Sequence, residues 1–182
     1  IVREFDDAGT IIAEYTTESN PFGNVVSQRR NGQDSVYHYD GQGSTLALTD
    51  ANGDVTDTFA YSSFGEVTAR TGSTVNPFQY IGRQGYYRDA ETGECDVRRR
   101  RLSSDDARWA SVDPWQVRGH SQPYLYANNA PAVYIDPSGN QASNLWQQNT
   151  KTDMDRLYEY IISEGWYKKD ASGLCVTITF FL

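Results

Sequence analysis

Two Asp-Pro pairs, Asp113-Pro114 and Asp136-Pro137, contain the side chains best suited to chemistry in this chain. Two carboxylates that a fold brings about 3 Å apart resist being ionised together, so one stays protonated while the other is charged. Such a pair can hydrolyse a peptide bond, because the charged carboxylate accepts a proton from water while the protonated one donates to the scissile carbonyl. Asp113 and Asp136 are therefore candidate catalytic residues.

An Asp-Pro pair also has a purely structural interpretation. Aspartate caps backbone N–H groups where a turn or helix begins, and proline fixes φ near the value needed there. From spacing alone, this structural role is favoured for both pairs. The chemical interpretation needs elements that bring the two aspartates together. Residues 98–139, which hold both pairs, are rich in arginine, tyrosine, proline and asparagine.

The composition favours a β protein and excludes several functions. The chain has 182 residues, a net charge of −8 and an isoelectric point near 4.7, so a surface built throughout to bind phosphate groups is excluded. The 13 tyrosines and 15 glycines, against one methionine, favour strands and turns over helical bundles. Mean hydropathy is −0.66 and no apolar run reaches membrane-spanning length, so no membrane span is expected.

No metal site and no cofactor are expected. Cys95 and Cys175 lie far apart without metal-type spacing, which argues against both a zinc site and a disulfide framework. His38 and His120 lack partners at ligand-like spacing. A surface or hydrogen-bonding role is therefore favoured for each histidine over metal binding.

Residues 1–75 are predicted to form short strands separated by turns. The Asn52-Gly53 pair favours positive φ and is typical of a tight hairpin turn. Residues 15–25 and 61–67 follow one scheme, in which a tyrosine leads through Phe-Gly to a valine. A strand-turn-strand unit that recurs in this way indicates a repeat architecture of stacked strands.

The remaining chain divides into a motif-rich block, residues 76–139, and a tail of different character, residues 140–182. Apolar residues between positions 154 and 162 follow helical spacing, and residues 176–181 have the composition of a strand. A segment this short can barely stabilise itself. The tail is therefore predicted to be a short α+β segment that packs on the rest of the chain or begins a cargo or toxin region.

Several short elements follow one another along the chain. They are Tyr39-Asp40-Gly-Gln-Gly-Ser, Tyr61-Ser-Ser-Phe64-Gly65, Gly82-Arg-Gln-Gly-Tyr-Tyr-Arg-Asp-Ala-Glu91-Thr92-Gly93, Arg98 with Arg100, Ala107-Arg108-Trp109-Ala-Ser111-Val-Asp113-Pro114, Tyr124-Leu-Tyr126-Ala-Asn-Asn129-Ala-Pro131 and Asp136-Pro-Ser-Gly139. In this order they resemble the Rhs family of YD-repeat proteins, in particular the core that closes the C-terminal end of the repeats. The resemblance covers roughly residues 1–139, and it depends on the order of the elements, since each alone is weak.

The resemblance implies a mainly β fold, in which antiparallel YD-repeat hairpins form part of a spiralling β-shell around a variable C-terminal cargo. Many members release that cargo by cleaving their own chain just after the residue that follows Asp-Pro-x-Gly, using two aspartates. Carried over, the aspartates are Asp113 and Asp136, and the cleaved bond joins Asn140 to Gln141. The family commonly has leucine at the position of Asn140, and an apolar side chain there would suit a dry pocket better than asparagine.

Four consecutive arginines, residues 98–101, could form a nucleic-acid patch or a set of ion pairs. In a strand, alternation would place Arg98 and Arg100 on one face and the other two on the opposite face. The family match falls on Arg98 and Arg100, which implies that they pair with Asp105, Asp106 or the candidate aspartates. Ion pairing is therefore the favoured role, and no nucleic-acid binding by the core is expected.

Arg108 is a third candidate for a supporting role. It lies five residues before Asp113, and a guanidinium beside a carboxylate lowers that carboxylate's pKa.

Two functions follow from these observations. The first is a C-terminal Rhs core that encloses a cargo and releases it, acting as an aspartyl peptidase once on its own chain. The second is an inert YD-repeat module of a bacterial surface or adhesion protein. The resemblance implies the chain's own C-terminal segment as partner, with a secretion apparatus or an immunity protein as further partners. It also implies a secreted or cell-surface location. No signal peptide or initiating methionine is visible at Ile1, and the chain is expected to be a piece of a longer protein.

Overall fold

In the first part of the chain, side chains that alternate between the two faces of the sheet produce two equivalent strands. In the computed structural model, which describes residues 3–19, 21–113 and 122–144, residues 33–39 and 55–61 have the same pattern of burial. Tyr37 and Phe59 occupy equivalent buried positions, and each ring stacks on the next aromatic of its own strand. A period of two is what a strand with one buried face requires.

The turns between these strands combine an acidic side chain with a glycine. At Asp50 the carboxylate accepts the N–H groups of Asn52 and Asp54, and Gly53 closes the turn by donating to the Asp50 carbonyl. Gly53 has φ +87, where a side chain would be strained, and it alone of the Asn52-Gly53 pair has a positive φ. The hairpin predicted at this pair is therefore confirmed, with the left-handed conformation restricted to the glycine.

Within the described ranges the strands form three sheets, and the two larger sheets are antiparallel. A meander of seven strands runs in the order β1-β2-β3-β4-β5-β6-β7, a second sheet has the order β11-β10-β9-β8, and β12 pairs with β13. In the described part, the strands are β1 (Arg3–Phe5), β2 (Ile11–Thr17), β3 (Val25–Arg30), β4 (Gln33–Tyr39), β5 (Thr45–Thr49), β6 (Val55–Tyr61), β7 (Val67–Thr71), β8 (Tyr87–Arg88), β9 (Cys95–Val97), β10 (Arg100–Ser103), β11 (Arg108–Trp109), β12 (Tyr134–Ile135) and β13 (Ser143–Asn144), with 3₁₀ turns at Gly82–Gln84 and Ala127–Asn129.

Buried side chains form a core cluster on one face of the seven-stranded sheet. Its buried members are Ala13, Tyr15, Val25, Tyr37, Leu48, Phe59 and Phe78. Phe78 comes from the segment after the sheet, and its ring meets Tyr15 edge-on at 4.9 Å and Tyr87 at 5.6 Å. The motif-rich block is thereby anchored on the sheet, and residues up to Ser143 belong to one compact unit.

The mainly β, antiparallel fold predicted from the sequence is confirmed. The two segments that follow one scheme, residues 15–25 and 61–67, both span hairpins, β2 with β3 and β6 with β7. The helix and strand predicted in the tail, like Trp115, His120 and Cys175, lie outside the described residues. Across the described ranges, no helix is both long and apolar enough to cross a membrane.

Candidate active site

The arginine segment forms a turn and does not continue as one strand. Strand β9 ends at Val97, Arg98 has φ +50, and the N–H of Arg99 donates back to the Val97 carbonyl at 2.5 Å. Strand β10 then begins at Arg100, whose side chain is buried, while Arg101 is exposed. The prediction that Arg98 and Arg100 lie in one strand is therefore wrong, because the left-handed residue interrupts the strand, but both side chains still reach the turn that begins at Asp136.

Arg100 brings the two candidate aspartates together. Its Nη1 lies 3.2 Å from Oδ2 of Asp113, and its Nη2 lies 3.0 Å from Oδ2 of Asp136. Asp113 and Asp136 are 2% and 1% exposed, and Arg100 is 5% exposed. One guanidinium therefore bridges both carboxylates in a dry environment, where charged groups are tolerated only when they are paired.

The second Asp-Pro pair begins a turn that wraps around its own carboxylate. Oδ1 of Asp136 accepts the hydroxyl of Ser138 at 2.9 Å and the backbone N–H groups of Asn140 and Gln141, each at 3.1 Å. The capping role expected of an Asp-Pro pair is thus present at Asp136. The same contacts place the carboxylate beside the backbone nitrogen of Gln141, which belongs to the bond predicted to be cleaved.

Gly139 explains why this turn ends on glycine. It has φ +70, and a Cβ at this position would lie 2.4 Å from the carbonyl oxygen of Val97. Its own carbonyl accepts a hydrogen bond from Nε of Arg100 at 2.5 Å. The Asp-Pro-Ser-Gly segment therefore packs directly on the β9–β10 turn, and only a residue without a side chain fits there.

The first aspartate is positioned by the short strand before it. Strand β11 pairs with β10, and the N–H of Trp109 donates to the carbonyl of Tyr124 at 3.0 Å. Further along, the N–H of Asp113 donates to the carbonyl of Pro123 at 3.0 Å. The segment from Trp109 to Asp113 is consequently held between β10, which carries Arg100, and the segment that leads to Tyr126.

Aromatic side chains pack around the three charged groups. The Arg100 guanidinium stacks on the Trp109 ring with its central carbon 4.2 Å from the ring centroid, and the Trp109 ring meets Tyr126 edge-on at 5.2 Å. The hydroxyls of Tyr126 and Tyr86 are hydrogen-bonded at 3.2 Å, and the Tyr86 hydroxyl accepts the backbone N–H of Asp136 at 3.2 Å. Burial raises the pKa of both tyrosines well above the ordinary value, so both remain protonated.

Arg98 has a different role from the one that the sequence predicted. Its guanidinium donates to three backbone carbonyls, those of Pro137 at 2.5 Å and of Phe22 and Gln84 at 3.0 Å each, and lies over the Phe22 ring. The expected carboxylate partner is therefore wrong for Arg98, which joins the Asp136 turn to two distant loops. Desolvation lowers the pKa of this guanidinium, yet an arginine stays charged in proteins.

Arg108 lies at the start of β11 with its side chain exposed. Its backbone pairs with Ser103 and bridges to Leu125. Among the ion pairs of residues 3–19, 21–113 and 122–144, none involves Arg108, so the electrostatic support predicted from it is not seen there. Asp105 is exposed as well, and Asp106 accepts a hydrogen bond from Ser103.

The two residues of the predicted cleavage bond differ in their surroundings. Asn140 is half-buried, and its side-chain oxygen is buried without a hydrogen-bond partner among the described residues, whereas Gln141 is exposed. Two further contributors to the site, Tyr86 and Ser138, are not among the residues predicted from the sequence. The serine lies inside the Asp-Pro-x-Gly motif, so its hydroxyl could have been assigned to the turn. Nothing in the local sequence indicates that Tyr86 reaches Asp136.

No cluster of three or more His, Cys, Asp or Glu side chains within the described ranges could hold a metal ion. Cys95 is buried, and burial raises the pKa of its thiol to about 11.

No protein-family model matches the chain, but curated proteins do. It is 28% identical over 146 residues to the tRNA3(Ser)-specific nuclease WapA of Bacillus spizizenii, 32% over 105 residues to the toxin protein Tse5 of Pseudomonas aeruginosa and 29% over 163 residues to salivary gland surface protein 1 of Aedes aegypti. These matches cover 76%, 58% and 77% of the chain, but only 6%, 8% and 5% of the respective relatives.

Solved structures of toxin complexes share the fold. The complex TcdB2-TccC3-Cdc42 matches with a TM-score of 0.60 and 19% identity over 74% of this chain and 7% of that one. The Tc holotoxin pore of Photorhabdus luminescens, with a variant of TccC3, also has a TM-score of 0.60, at 17% identity over 79% of this chain and 7% of that one. Together with the curated relatives, these matches confirm the resemblance to Rhs-type toxin proteins predicted from the sequence.

Proposed function

We propose that this chain, a relative of Rhs-type toxin proteins, is the C-terminal core of a repeat shell that encloses its own C-terminal segment. In this proposal the core releases the segment by cleaving the bond between Asn140 and Gln141. The reaction depends on Asp113 and Asp136 and occurs once per chain. Residues 1–75 serve as repeats, residues 76–139 as the cleaving core and residues 140–182 as the start of the released cargo.

The observation that carries the proposal is the position of the Asp136 carboxylate. It lies 3.1 Å from the nitrogen of Gln141, which is the leaving group if this bond breaks. Peptide cleavage requires a proton on that nitrogen, and a carboxyl group within hydrogen-bond distance can deliver it. The contact supports the bond that the sequence motif selects, and the same oxygen lies equally close to the Asn140 nitrogen.

Arg100 supports the proposal through charge. It lies between the two carboxylates and compensates one of the two negative charges that the core buries. It also donates to the carbonyl of Gly139, one residue before Asn140. Cleavage of a peptide bond shifts charge between its atoms. A cation that is already fixed beside the bond stabilises the transition state, because the surrounding groups do not have to reorient.

Substitution of each aspartate tests the proposed function. Asp113→Asn and Asp136→Asn keep the size of the side chain but remove its acid–base capacity, so each variant is expected to remain as one uncut band on a denaturing gel. Exposed Asp105→Asn is the matched control and is expected to cleave like the parent chain. Cleavage that persists in both aspartate variants would overturn the proposal.

The wider context follows from the relatives. One relative is named a toxin and another a tRNA-specific nuclease, and we extend a toxin-type, delivered role to this chain. The partners are then its own C-terminal segment, a secretion apparatus and an immunity protein, and the location is extracellular or at the cell surface. A protein co-purification with and without residues 141–182 would identify which partners depend on the released segment.

A non-catalytic structural module is the second candidate, and the Arg100 bridge also favours it. A buried guanidinium paired with two carboxylates is a satisfied network that fixes the relative positions of β10 and the two Asp-Pro segments. In that case Asp136→Asn would lower the free energy of unfolding by about 3 kcal/mol, as breaking a buried pair does, while the parent chain would never be cut.

A further inference from the structure

The side chain immediately before the predicted cleavage bond is an amide held in a half-buried position. Asn140 stands where the related motif commonly has an apolar residue, and within the described part of the chain its buried Oδ1 has no hydrogen-bond partner. An unsatisfied buried polar atom destabilises the fold, so its presence at this position calls for an explanation.

We propose that the Asn140 side chain is the nucleophile that breaks the bond to Gln141, an inference that rests on the self-cleavage proposed above. Nδ2 of Asn140 attacks the backbone carbonyl carbon of the same residue. A five-membered succinimide ring closes at the new C-terminus, and Gln141 becomes the N-terminus of the released segment.

The contacts of Asp136 leave room for only one new donor at a time. Oδ1 already accepts three hydrogen bonds, from Ser138 and from the amides of Asn140 and Gln141, and Oδ2 is paired with Arg100. A carboxylate has about four acceptor positions, so an attacking water and the Nδ2 protons of Asn140 compete for any position that one of these contacts gives up. Asp113 is buried in the same ion-pair network, 2% exposed.

Asn140 has the advantage of proximity. Its amide nitrogen is connected to the carbonyl carbon through only Cγ, Cβ and Cα, so the attack is intramolecular. Well-oriented intramolecular reactions have effective molarities of about 10⁵–10⁸ M, which compensates for the weak nucleophilicity of an amide. The hydrogen bonds from the backbone N–H groups of Asn140 and Gln141 to Asp136 fix the chain on both sides of the reacting carbonyl.

The step balances without water or any other reactant. The Nδ2–C bond forms, the C–N bond to Gln141 breaks, and one proton leaves Nδ2 while one proton reaches the Gln141 nitrogen. Oδ1 of Asp136 accepts the first proton when one of its hydrogen bonds is released, and it delivers that proton to the Gln141 nitrogen, which lies 3.1 Å away. The two products together have the mass of the uncut chain.

The mass of the N-terminal fragment distinguishes this route from hydrolysis. Intact mass spectrometry of the parent chain during cleavage is expected to show residues 1–140 lighter by one water than a fragment with a free C-terminal carboxyl group. Hydroxylamine added during the reaction is expected to convert the ring to a hydroxamate. If residues 1–140 carry the extra water from the earliest time point and no hydroxamate forms, the inference is overturned while the proposed self-cleavage stands.

Substitution of Asn140 gives an independent test with opposite expectations for the two routes. Asn140→Leu removes the nucleophile and restores an apolar side chain, so cyclisation predicts loss of cleavage, whereas hydrolysis predicts cleavage at least as fast as in the parent. Asn140→Gln keeps the amide but requires a six-membered ring, and slower cleavage is expected. A thermal melt confirms that each variant is folded. A parent chain that is never cut overturns both this inference and the proposed function.

Discussion

Arg100 is the residue that determines how the candidate site is built. It is fully buried, stacks on Trp109 and contacts both aspartates as well as the Gly139 carbonyl. Its neighbour Arg101 is exposed and pairs with Asp96 at the surface. Ion pairs at the surface contribute at most about 1 kcal/mol, whereas a buried charge without its partner costs several. Among these adjacent arginines, only Arg100 can therefore organise the site.

The site residues were predictable from the sequence to different degrees. Asp113, Asp136 and Arg100 were candidates because ordered motifs single them out, and the structure places them in contact. Arg98 was assigned the wrong partner, because its left-handed backbone conformation cannot be inferred from a run of arginines. Tyr86 was missed, because a hydrogen bond from a residue 50 positions away leaves no local signal.

Tyr86→Phe tests whether the hydroxyl positions Asp136. The substitution leaves the Asp136 N–H without its acceptor in a fully buried environment, so the free energy of unfolding is expected to fall by about 1–3 kcal/mol. Cleavage is expected to slow as well, since the Asp136 turn loses a contact that fixes it. Denaturant unfolding and a gel time course measure the two effects.

Tyr124→Phe is the matched control, because Tyr124 is 42% exposed. It is expected to change neither stability nor the rate of cleavage. A Tyr86→Phe chain that cleaves as fast as this control, even if less stable, would show that the hydroxyl supports only the fold.

At the scale of single elements, the turns explain why particular motif residues occur. The segment Ala127–Asn129 has three consecutive positive φ values, 47, 53 and 56, which brings the chain around after Tyr126. Asparagine tolerates this conformation better than other residues with side chains, which accounts for the Asn-Asn pair. The Asn-Asn pair therefore encodes this turn in the sequence, whereas the pattern of hydrophobic residues gives no sign of it.

Gly65→Ala tests the close packing at the end of the Tyr-x-x-Phe-Gly element. Gly65 has φ +93, and an added Cβ would lie 2.5 Å from two ring carbons of Tyr80. The substitution combines the cost of a left-handed alanine with that of overpacking, so the free energy of unfolding is expected to fall by about 3 kcal/mol. Thermal or denaturant unfolding measures the loss.

Gly53→Ala measures the cost of a left-handed alanine without the cost of overpacking. Gly53 has a similar φ of +87, but an added Cβ would meet no heavy atom within 4 Å. Its substitution is expected to cost only about 1 kcal/mol, from the backbone conformation alone. Equal losses in the two variants would contradict the packing of Tyr80 against Gly65.

For the whole molecule, the tyrosines link stability to pH. In the described part, burial raises the pKa of eight tyrosines above the ordinary value of about 10, to about 12 for Tyr80. The others are Tyr15, Tyr37, Tyr39, Tyr61, Tyr86, Tyr87 and Tyr126. A phenol that stays neutral in the folded chain but ionises in the unfolded chain favours unfolding once the pH exceeds its unfolded pKa.

The chain is therefore expected to keep its full stability below about pH 10 and to lose it steeply above that value. Tyrosinate absorbance of the folded chain should rise in one cooperative step together with the loss of circular dichroism. In concentrated denaturant, the same absorbance should follow a simple titration centred near pH 10. If the buried tyrosines titrated near pH 10 while the circular dichroism remained native, the predicted burial would be contradicted.

The overall fold was the most predictable property of the molecule. Alternation along β4 and β6 and glycines at the turns determine the meander, since each hairpin needs only neighbouring residues. The packing of β8 to β11 onto that sheet depends on long-range contacts such as Phe78 with Tyr15, which no local pattern specifies. The division into repeats, core and tail stays a prediction.

Identification of the N-terminal residue of the small fragment is the most direct test of the proposed self-cleavage. The purified parent chain is incubated, and the fragment is analysed by intact mass and N-terminal sequencing. A fragment of residues 141–182 that begins at Gln141, and that is absent from the Asp136→Asn chain, is the result expected from the 3.1 Å contact between Asp136 and the Gln141 nitrogen. A chain that remains whole, or a fragment that begins at another residue, would contradict the account.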